Sequence, residues 1–185
     1  MKQDTTRKTM WSMAGTAGLA LGLVSTAYMF LTILLEKVEI NVFLNSLLSF
    51  ILWGAKFAGC IWLMRQAMKK FAAVDESITN RDTFAMGTAT ALLSALIFAA
   101  MSFANVAYFC ADMYAEQIDL VMQQMAPMMD SNSMSMMDNM MQNLPQITFF
   151  SNLIYCFLFG CVLSAILSRN IPSKDPFADY KPEEQ

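Results

Sequence analysis

Residues 84–113 read FAMGTATALLSALIFAAMSFANVAYFCADM, and this stretch decides the fold class. It contains no Lys or Arg, and its one carboxylate, Asp112, lies next to its end. A helix needs about 20 mostly apolar residues to cross the hydrocarbon core of a bilayer. The stretch therefore predicts a membrane-spanning helix.

Three further apolar stretches extend this prediction to the whole chain. The sequence has 185 residues, of which 56% are hydrophobic and 15% are charged, a balance typical of membrane proteins. The predicted spans are residues 10–35, 42–64, 84–113 and 146–167. We therefore expect an all-α integral membrane four-helix bundle over residues 1–168. A polar tail over residues 169–185 is expected to be disordered and cytoplasmic.

The distribution of Lys and Arg predicts the orientation of the chain. Every Lys and Arg except Lys37 and Lys56 lies before the first predicted span, between the second and third, or after the fourth. Cytoplasmic loops are enriched in these residues, so both termini are expected in the cytoplasm (N-in/C-in). The first apolar run exceeds the roughly 7–15 residues of a signal-peptide core, which favours an uncleaved span. Nucleic acid is not an expected partner, because the net charge is -3 and the connection on the opposite side is acidic.

Residues 114–145, between the third and fourth spans, form an acidic segment rich in methionine. Apolar residues keep a helical period beyond residue 113, which predicts one helix from Asp82 to Gln124. That helix would be about 65 Å long at 1.5 Å per residue and would project beyond the bilayer. Pro127 is its expected end, and a second short helix is expected to follow. The segment therefore predicts an extracytoplasmic helical hairpin.

Lys56 is the one charged residue well inside a predicted span. A Lys at such depth costs about 2.5–3.5 kcal/mol on insertion scales, and no Asp or Glu lies at a matching depth in another span. Two interpretations remain open. Either the side chain reaches the inner interface along its aliphatic stem, or it contacts a lipid phosphate together with the basic residues that follow the span. The candidate ligand-binding residues are Lys56, Arg65, Lys69 and Lys70.

Methionines are concentrated in the predicted hairpin. At helical spacing, Met side chains form a deformable apolar surface that suits a partner or lipid. The candidate partner-binding residues are Met122, Met125, Met129, Met137 and Met141. The alternative is capture of a soft ion such as Cu(I) by the thioethers. No metal site of recognisable spacing is predicted, since the sequence contains no His.

Small residues recur at helical spacing in the first and third spans, and such faces let helices approach closely. They are Gly18, Gly22, Gly87 and Ala91. Catalysis is not predicted, because a chain without His has no Ser-His or Cys-His pair. The protein is therefore expected to be non-enzymatic and to need no cofactor.

Three further patterns support the four-span architecture. A polar turn leads into RDTFAMG at residues 81–87, the acidic Met-rich segment covers residues 116–141, and the last span ends at Ser168-Arg169. In these patterns the chain resembles, over about residues 8–174, the bacterial four-span membrane proteins catalogued as domain of unknown function 4199. The resemblance implies a multi-pass protein of the bacterial inner (cytoplasmic) membrane. It implies no activity, because none is established for that family.

The sequence leaves three function hypotheses. The first is an accessory or scaffold subunit that binds another membrane or envelope component, or a second copy, through the small-residue faces and the hairpin. The second is a small transporter or lipid-phosphate binder that uses Lys56. The third is soft-metal binding through the Met-rich loop. Membrane lipids are expected contacts in every case.

Overall fold

The computed structural model describes residues 2–36, 41–75, 78–125 and 130–171, and every regular element within these ranges is helical. The helices are α1 (Lys2–Glu36), α2 (Val42–Ala72), α3 (Asn80–Ala104), α4 (Ala111–Met125), α5 (Ser131–Gln142) and α6 (Leu144–Arg169). Within the described ranges, the segments long and apolar enough to cross a membrane are Thr6–Leu35, Phe43–Ala72, Asn80–Phe109 and Leu144–Arg169. For the described residues, the predicted all-α class with four helices long and apolar enough to span a membrane is therefore confirmed.

Glycines set the distance between α1 and α3. A β-carbon at Gly18 would lie 2.8 Å from Cβ of Leu93, and one at Gly22 would lie 2.8 Å from Cβ of Ile97. Both distances are shorter than the 3.0 Å below which real β-carbons essentially never come. The two glycines therefore allow α1 to lie directly against α3, as small residues do between membrane helices.

Small residues also join α3 to α6. A β-carbon at Gly87 would overlap the Ser164 side chain, and one at Gly160 would overlap Ala91. The Ser164 hydroxyl donates a hydrogen bond to the Phe84 carbonyl oxygen at 3.0 Å. The small residues singled out in the sequence thus pack helices of this chain against one another.

The main hydrophobic core lies at the end of the bundle that carries Lys69, Lys70 and Arg81, which we call the basic end. Its buried residues are Leu21, Met64, Met68, Phe71, Ile78, Met86, Leu167 and Ile171. Helix α2 continues as a helix beyond the predicted span, which ended at residue 64, and reaches Ala72. Met68 and Phe71 of this extension are almost completely buried. The extension therefore anchors α2 to α3 and α6.

Away from the basic end, α2 is loosely held. In the most apolar 18-residue stretch of α2, 6% of the residues are buried, against 33% in the corresponding stretch of Asn80–Phe109. Helix α2 therefore presents most of its apolar surface to the outside of the bundle. Helix α2 consequently packs against its neighbours less closely than α3 packs against α1 and α6.

The prediction of one continuous helix from Asp82 to Gln124 is wrong. Asn105–Phe109 form a π-helical turn, in which the N–H of Cys110 donates to the Asn105 carbonyl oxygen at 2.9 Å, and α4 begins at Ala111. A π turn inserts one residue, which rotates the following side chains by about 100° around the helix axis. The apolar residues on either side still repeat every 3.6 residues, so the sequence pattern does not show where this rotation occurs. The buried Asn105 amide donates to the Tyr114 hydroxyl at 3.4 Å, so this turn connects α3 to α4.

Side-chain caps define the beginnings of α3 and α5. The Thr79 hydroxyl accepts from the Asp82 N–H at 3.3 Å, and the Asp82 carboxylate accepts from the Thr79 N–H at 3.1 Å, which together form a capping box. The Asp130 carboxylate accepts from the Ser133 N–H at 2.9 Å at the start of α5. Both helices thus begin at oxygen side chains that satisfy unpaired backbone donors.

Parts of three predictions lie outside the described residues. These are the outer connection with Lys37, the expected helix end at Pro127 and the cytoplasmic tail beyond residue 171.

Candidate anion-binding cavity at Lys56

A cavity of about 180 Å³ lies among α1, α2, α3 and α6. Its polar lining comes from Lys56, Ser25 and Ser94, together with the thiols of Cys60 and Cys156. Its aromatic lining comes from Trp53, Phe57, Phe98, Tyr155 and Phe159. Lys56 is the charged group of this lining, and no Asp or Glu of the described residues shares the cavity with it. An apolar pocket with few polar groups is the usual form of a small-molecule site.

The Lys56 ammonium rests on two aromatic rings. Its Nζ lies 4.7 Å from the ring centroid of Tyr28 on α1 and 5.1 Å from that of Phe98 on α3. Cation–π contacts of this kind contribute about 0.5–2 kcal/mol, whereas a Lys near a helix centre costs about 2.5–3.5 kcal/mol on insertion scales. The two contacts together contribute about 1–4 kcal/mol, so the rings offset a large share of the cost of placing this cation at that depth.

The contacts of the ammonium show the direction of the Lys56 side chain. Lys56 lies about sixteen residues before Ala72, roughly 24 Å along α2. Side chains on a helix lean towards its N-terminus, and the ring of Tyr28 belongs to the second half of α1, far from the basic end. The Lys56 side chain thus points away from the basic end, towards Tyr28.

The other basic residues predicted for this site lie elsewhere. Arg65, Lys69 and Lys70 are exposed and do not line the cavity. Arg65 follows Lys56 by nine residues, which places it roughly 180° around the helix. Lys69 and Lys70 belong to the last turn of α2, where cations interact favourably with the helix dipole. A single phosphate is therefore not held by Lys56 and Arg65 together.

A row of aromatic rings forms the rim between α2 and α6. Ring centroids are 6.0 Å apart for Phe50 and Trp53, 5.6 Å for Trp53 and Phe57, and 5.2 Å for Phe57 and Phe159. Trp53, Phe57 and Phe159 are each more than one third exposed on the outer surface of the bundle. The rim is therefore the side on which the cavity opens to the outer surface of the bundle.

Sequence reasoning missed the aromatic partners of Lys56. The prediction for Lys56 rested on the absence of Asp and Glu at a matching depth and included no aromatic ring as a partner. One signal was present, because Phe50, Trp53 and Phe57 recur at helical spacing on the same helix as Lys56. Tyr28 and Phe98 gave no comparable signal, since their approach depends on how three helices pack.

Helices α4 and α5 share an open apolar groove of about 270 Å³, which we call the α4–α5 groove. It is lined by Tyr114, Gln117, Ile118, Val121, Met137, Met140, Met141 and Leu144. Of the predicted partner-binding methionines, Met137 and Met141 thus line the groove, while Met122 and Met125 lie on α4 outside its lining. Met129 lies outside the described residues. Among the residues that the structure describes, no three His, Cys, Asp or Glu side chains gather as metal ligands.

Comparison with known protein families identifies a match for most of the chain. A family model described as "Protein of unknown function (DUF4199)" matches residues 16–169. No curated protein and no solved structure matches the chain.

Proposed function

The chain belongs to the DUF4199 family, whose function is unknown, and we propose that it binds a lipid-like molecule whose phosphate contacts Lys56. The observation that carries this proposal is the Lys56 ammonium, which lies inside a membrane helix against the rings of Tyr28 and Phe98 with no carboxylate in its cavity. An ammonium has three N–H donors, and ring faces accept none of them as well as an anionic oxygen does. A bound phosphate supplies the anionic oxygen acceptors that the two rings do not provide.

The walls of the cavity favour an amphipathic ligand over a free inorganic ion. Aromatic side chains surround Lys56, and such surfaces pack well against hydrocarbon. The cavity volume of about 180 Å³ is below the range of roughly 300–1,000 Å³ that encloses a drug-sized ligand. The site therefore holds the head of the ligand, and the chains extend past Trp53 and Phe159 into the bilayer.

Binding is proposed here without a catalytic step. The cavity offers an amine, hydroxyls and thiols, but the sequence has no His to serve as a base for any of them. A Lys with a bound phosphate acts as a fixed positive charge. Transport of the same ligand across the bilayer is the natural extension of this role.

The proposed function includes an orientation in the membrane. The protein is placed in a bacterial inner membrane with both termini in the cytoplasm and with α4 and α5 as an extracytoplasmic hairpin. The positive-inside rule supports this, because no Lys or Arg occurs between Arg81 and Arg169. Alkaline phosphatase inserted at residues 126–129 should be active, and the same enzyme fused after residue 185 should be inactive.

Native mass spectrometry of the purified protein tests the proposed function. The wild-type chain is expected to retain a phosphate-bearing lipid, Lys56→Met is expected to lose it, and Arg65→Met is expected to keep it. Fragmentation of the retained molecule separates a phosphate from a carboxylate head group. Equal retention by the wild type and Lys56→Met, with helix content unchanged by circular dichroism, would contradict the proposal.

A further inference from the structure

The outer face of α2 carries three exposed side chains in a row near the basic end. Trp62 is 60% exposed, and Arg65 and Lys69 follow it on the surface at intervals of three and four residues. At 100° per residue, Lys69 lies within about 20° of Trp62 around the helix axis, and Arg65 lies within about 60° of it. We call these three residues the α2 patch.

Buried residues on the other side of α2 fix the direction of the patch. Met64, Met68 and Phe71 belong to the hydrophobic core at the basic end. Helical phase places the middle of the α2 patch roughly 130° from these residues and roughly 150° from Lys56. The α2 patch therefore faces away from the bundle and is separate from the cavity at Lys56.

The two cations of the patch are not neutralised by their own helix. Helix α2 contains no Asp or Glu, so neither Arg65 nor Lys69 has a carboxylate at the i±3 and i±4 positions where helical ion pairs form. The Asp82 carboxylate at the start of α3 accepts from the Thr79 N–H and belongs to the capping box. The α2 patch thus presents positive charge outward, towards an anion from outside the chain.

The order of the three residues matches the boundary between hydrocarbon and head groups. The apolar run of α2 ends at Met64, and Arg65 and Lys69 follow within about two turns. Trp side chains are enriched at this boundary in membrane proteins. We infer that the α2 patch binds an anionic phospholipid of the adjacent leaflet, with its phosphate between Arg65 and Lys69 and an acyl chain along Trp62. The planar guanidinium of Arg65 suits phosphate because it donates to two oxygens at once.

The combination of an aromatic ring with two cations favours this ligand over other anions. Free phosphate makes no use of Trp62, and an acidic protein segment reaches Trp62 only by entering the bilayer. A zwitterionic phospholipid brings its own cation close to Arg65 and Lys69, whereas an anionic head group does not. A lipid at this outer surface exchanges with the surrounding bilayer, so it differs from a molecule enclosed at Lys56 and retained through purification.

Quenching of Trp62 by brominated lipids tests the inference on the full-length protein. The protein carries Trp11→Phe and Trp53→Phe, so that Trp62 is its one tryptophan. Brominated phosphatidylglycerol or brominated phosphatidylcholine with the same chains is mixed at increasing mole fraction into bilayers of unbrominated phosphatidylcholine. Phosphatidylglycerol is expected to compete at least roughly fivefold better beside Trp62, the effect of one Lys or Arg near a membrane surface. The preference should decrease as the salt concentration rises.

Matched variants locate the preference. Lys69→Gln and Arg65→Gln are each expected to reduce it severalfold, and Lys69→Arg should keep it. Lys70→Gln, which removes an adjacent exposed cation about 100° around the helix, should change it much less. Lys56→Met should leave it unchanged, so failure of the proposed function does not affect this result. Equal competition by the two lipids, equal effects of Lys69→Gln and Lys70→Gln, or a full preference in the Arg65→Gln/Lys69→Gln double variant would each overturn the inference.

Discussion

The ammonium nitrogen of Lys56 lies 4.7 Å from the ring centroid of Tyr28, so a cation on α2 is stabilised by an aromatic face on α1. Few residues in the most apolar stretch of α2 are fully buried in the bundle. This pair therefore joins α1 and α2 beside the cavity. Because Lys56 also lines the cavity, the same side chain contributes to the stability of the bundle and to the proposed ligand site.

Removal of the Tyr28 ring should remove its cation–π contact with Lys56 and destabilise the bundle. We expect Tyr28→Leu to reduce stability by about 0.5–2 kcal/mol, the usual contribution of a cation–π contact. Tyr28→Phe keeps the ring and is expected to stay close to the wild type. Thermal unfolding in detergent provides the measurement, and the effect of Tyr28→Leu should become smaller in a Lys56→Met background. An equal loss in both backgrounds would mean that the ring stabilises the bundle independently of the cation.

Enlargement of Gly22 should separate α1 from α3. A β-carbon there meets Cβ of Ile97 at 2.8 Å, and overpacking of this kind typically costs about 1–3 kcal/mol. Gly22→Ala is therefore expected to lower the Tm. Gly54→Ala is the matched control, because a β-carbon at Gly54 meets no atom within 4 Å. A Tm of Gly22→Ala equal to that of Gly54→Ala would show that α1 and α3 do not pack as closely as described.

Acidification should loosen the start of α5. Hydrogen bonds from the Ser133 hydroxyl and backbone N–H lower the pKa of Asp130 below its ordinary value. Because the folded pKa is the lower one, the cap contributes fully at neutral pH and is lost as the pH falls through that depressed pKa. Hydrogen exchange over 131–142, corrected for the intrinsic pH dependence of exchange, should stay constant from about pH 5 to 8 and increase below about pH 4.

A substitution separates this cap from general effects of acid. Asp130→Ala should give faster exchange of the first turn of α5 at neutral pH, whereas Asp138→Ala, further along the same helix, should leave that turn protected. If Asp130→Ala exchanges like the wild type at pH 7, the Asp130 carboxylate does not determine where α5 begins.

The sequence alone was sufficient to predict the four candidate spans, because the length and hydropathy of a segment decide whether it is able to cross a bilayer. It also identified Gly18, Gly22, Gly87 and Ala91 as small positions, and the structure adds which helix each one meets. It did not reveal the π turn at Asn105–Phe109, since one inserted residue changes the helical phase without changing composition. Interruptions of this kind depend on tertiary contacts, such as the bond between Asn105 and Tyr114.

The candidate site was only partly predictable for a related reason. The depth of Lys56 in an apolar helix marked it as unusual, and the structure gives it a cavity. The grouping of Lys56 with Arg65 ignored helical phase, which places the two on opposite sides of α2. The rings of Tyr28 and Phe98 come from two other helices, and a single sequence does not specify which of their faces meet.

Quenching of Trp53 fluorescence by brominated lipids tests the central claim most directly, because Trp53 lines the cavity. The protein for this measurement carries Trp11→Phe and Trp62→Phe, which leaves Trp53 as its one tryptophan. Phosphatidic acid and phosphatidylcholine with the same brominated chains are compared at equal low mole fractions. Bulk lipid quenches equally with either head group. The phosphate of phosphatidylcholine is balanced by its choline cation, so any difference reports binding of a net anionic phosphate head.

The account predicts that phosphatidic acid quenches Trp53 at a roughly tenfold lower mole fraction than phosphatidylcholine, as a charge-assisted contact of about 1.4 kcal/mol implies. Lys56→Gln should abolish this preference, and Lys70→Gln, an exposed cation on the same helix, should retain it. Equal quenching by the two lipids in the Lys56 protein, or an equal loss of preference in Lys56→Gln and Lys70→Gln, would contradict the account.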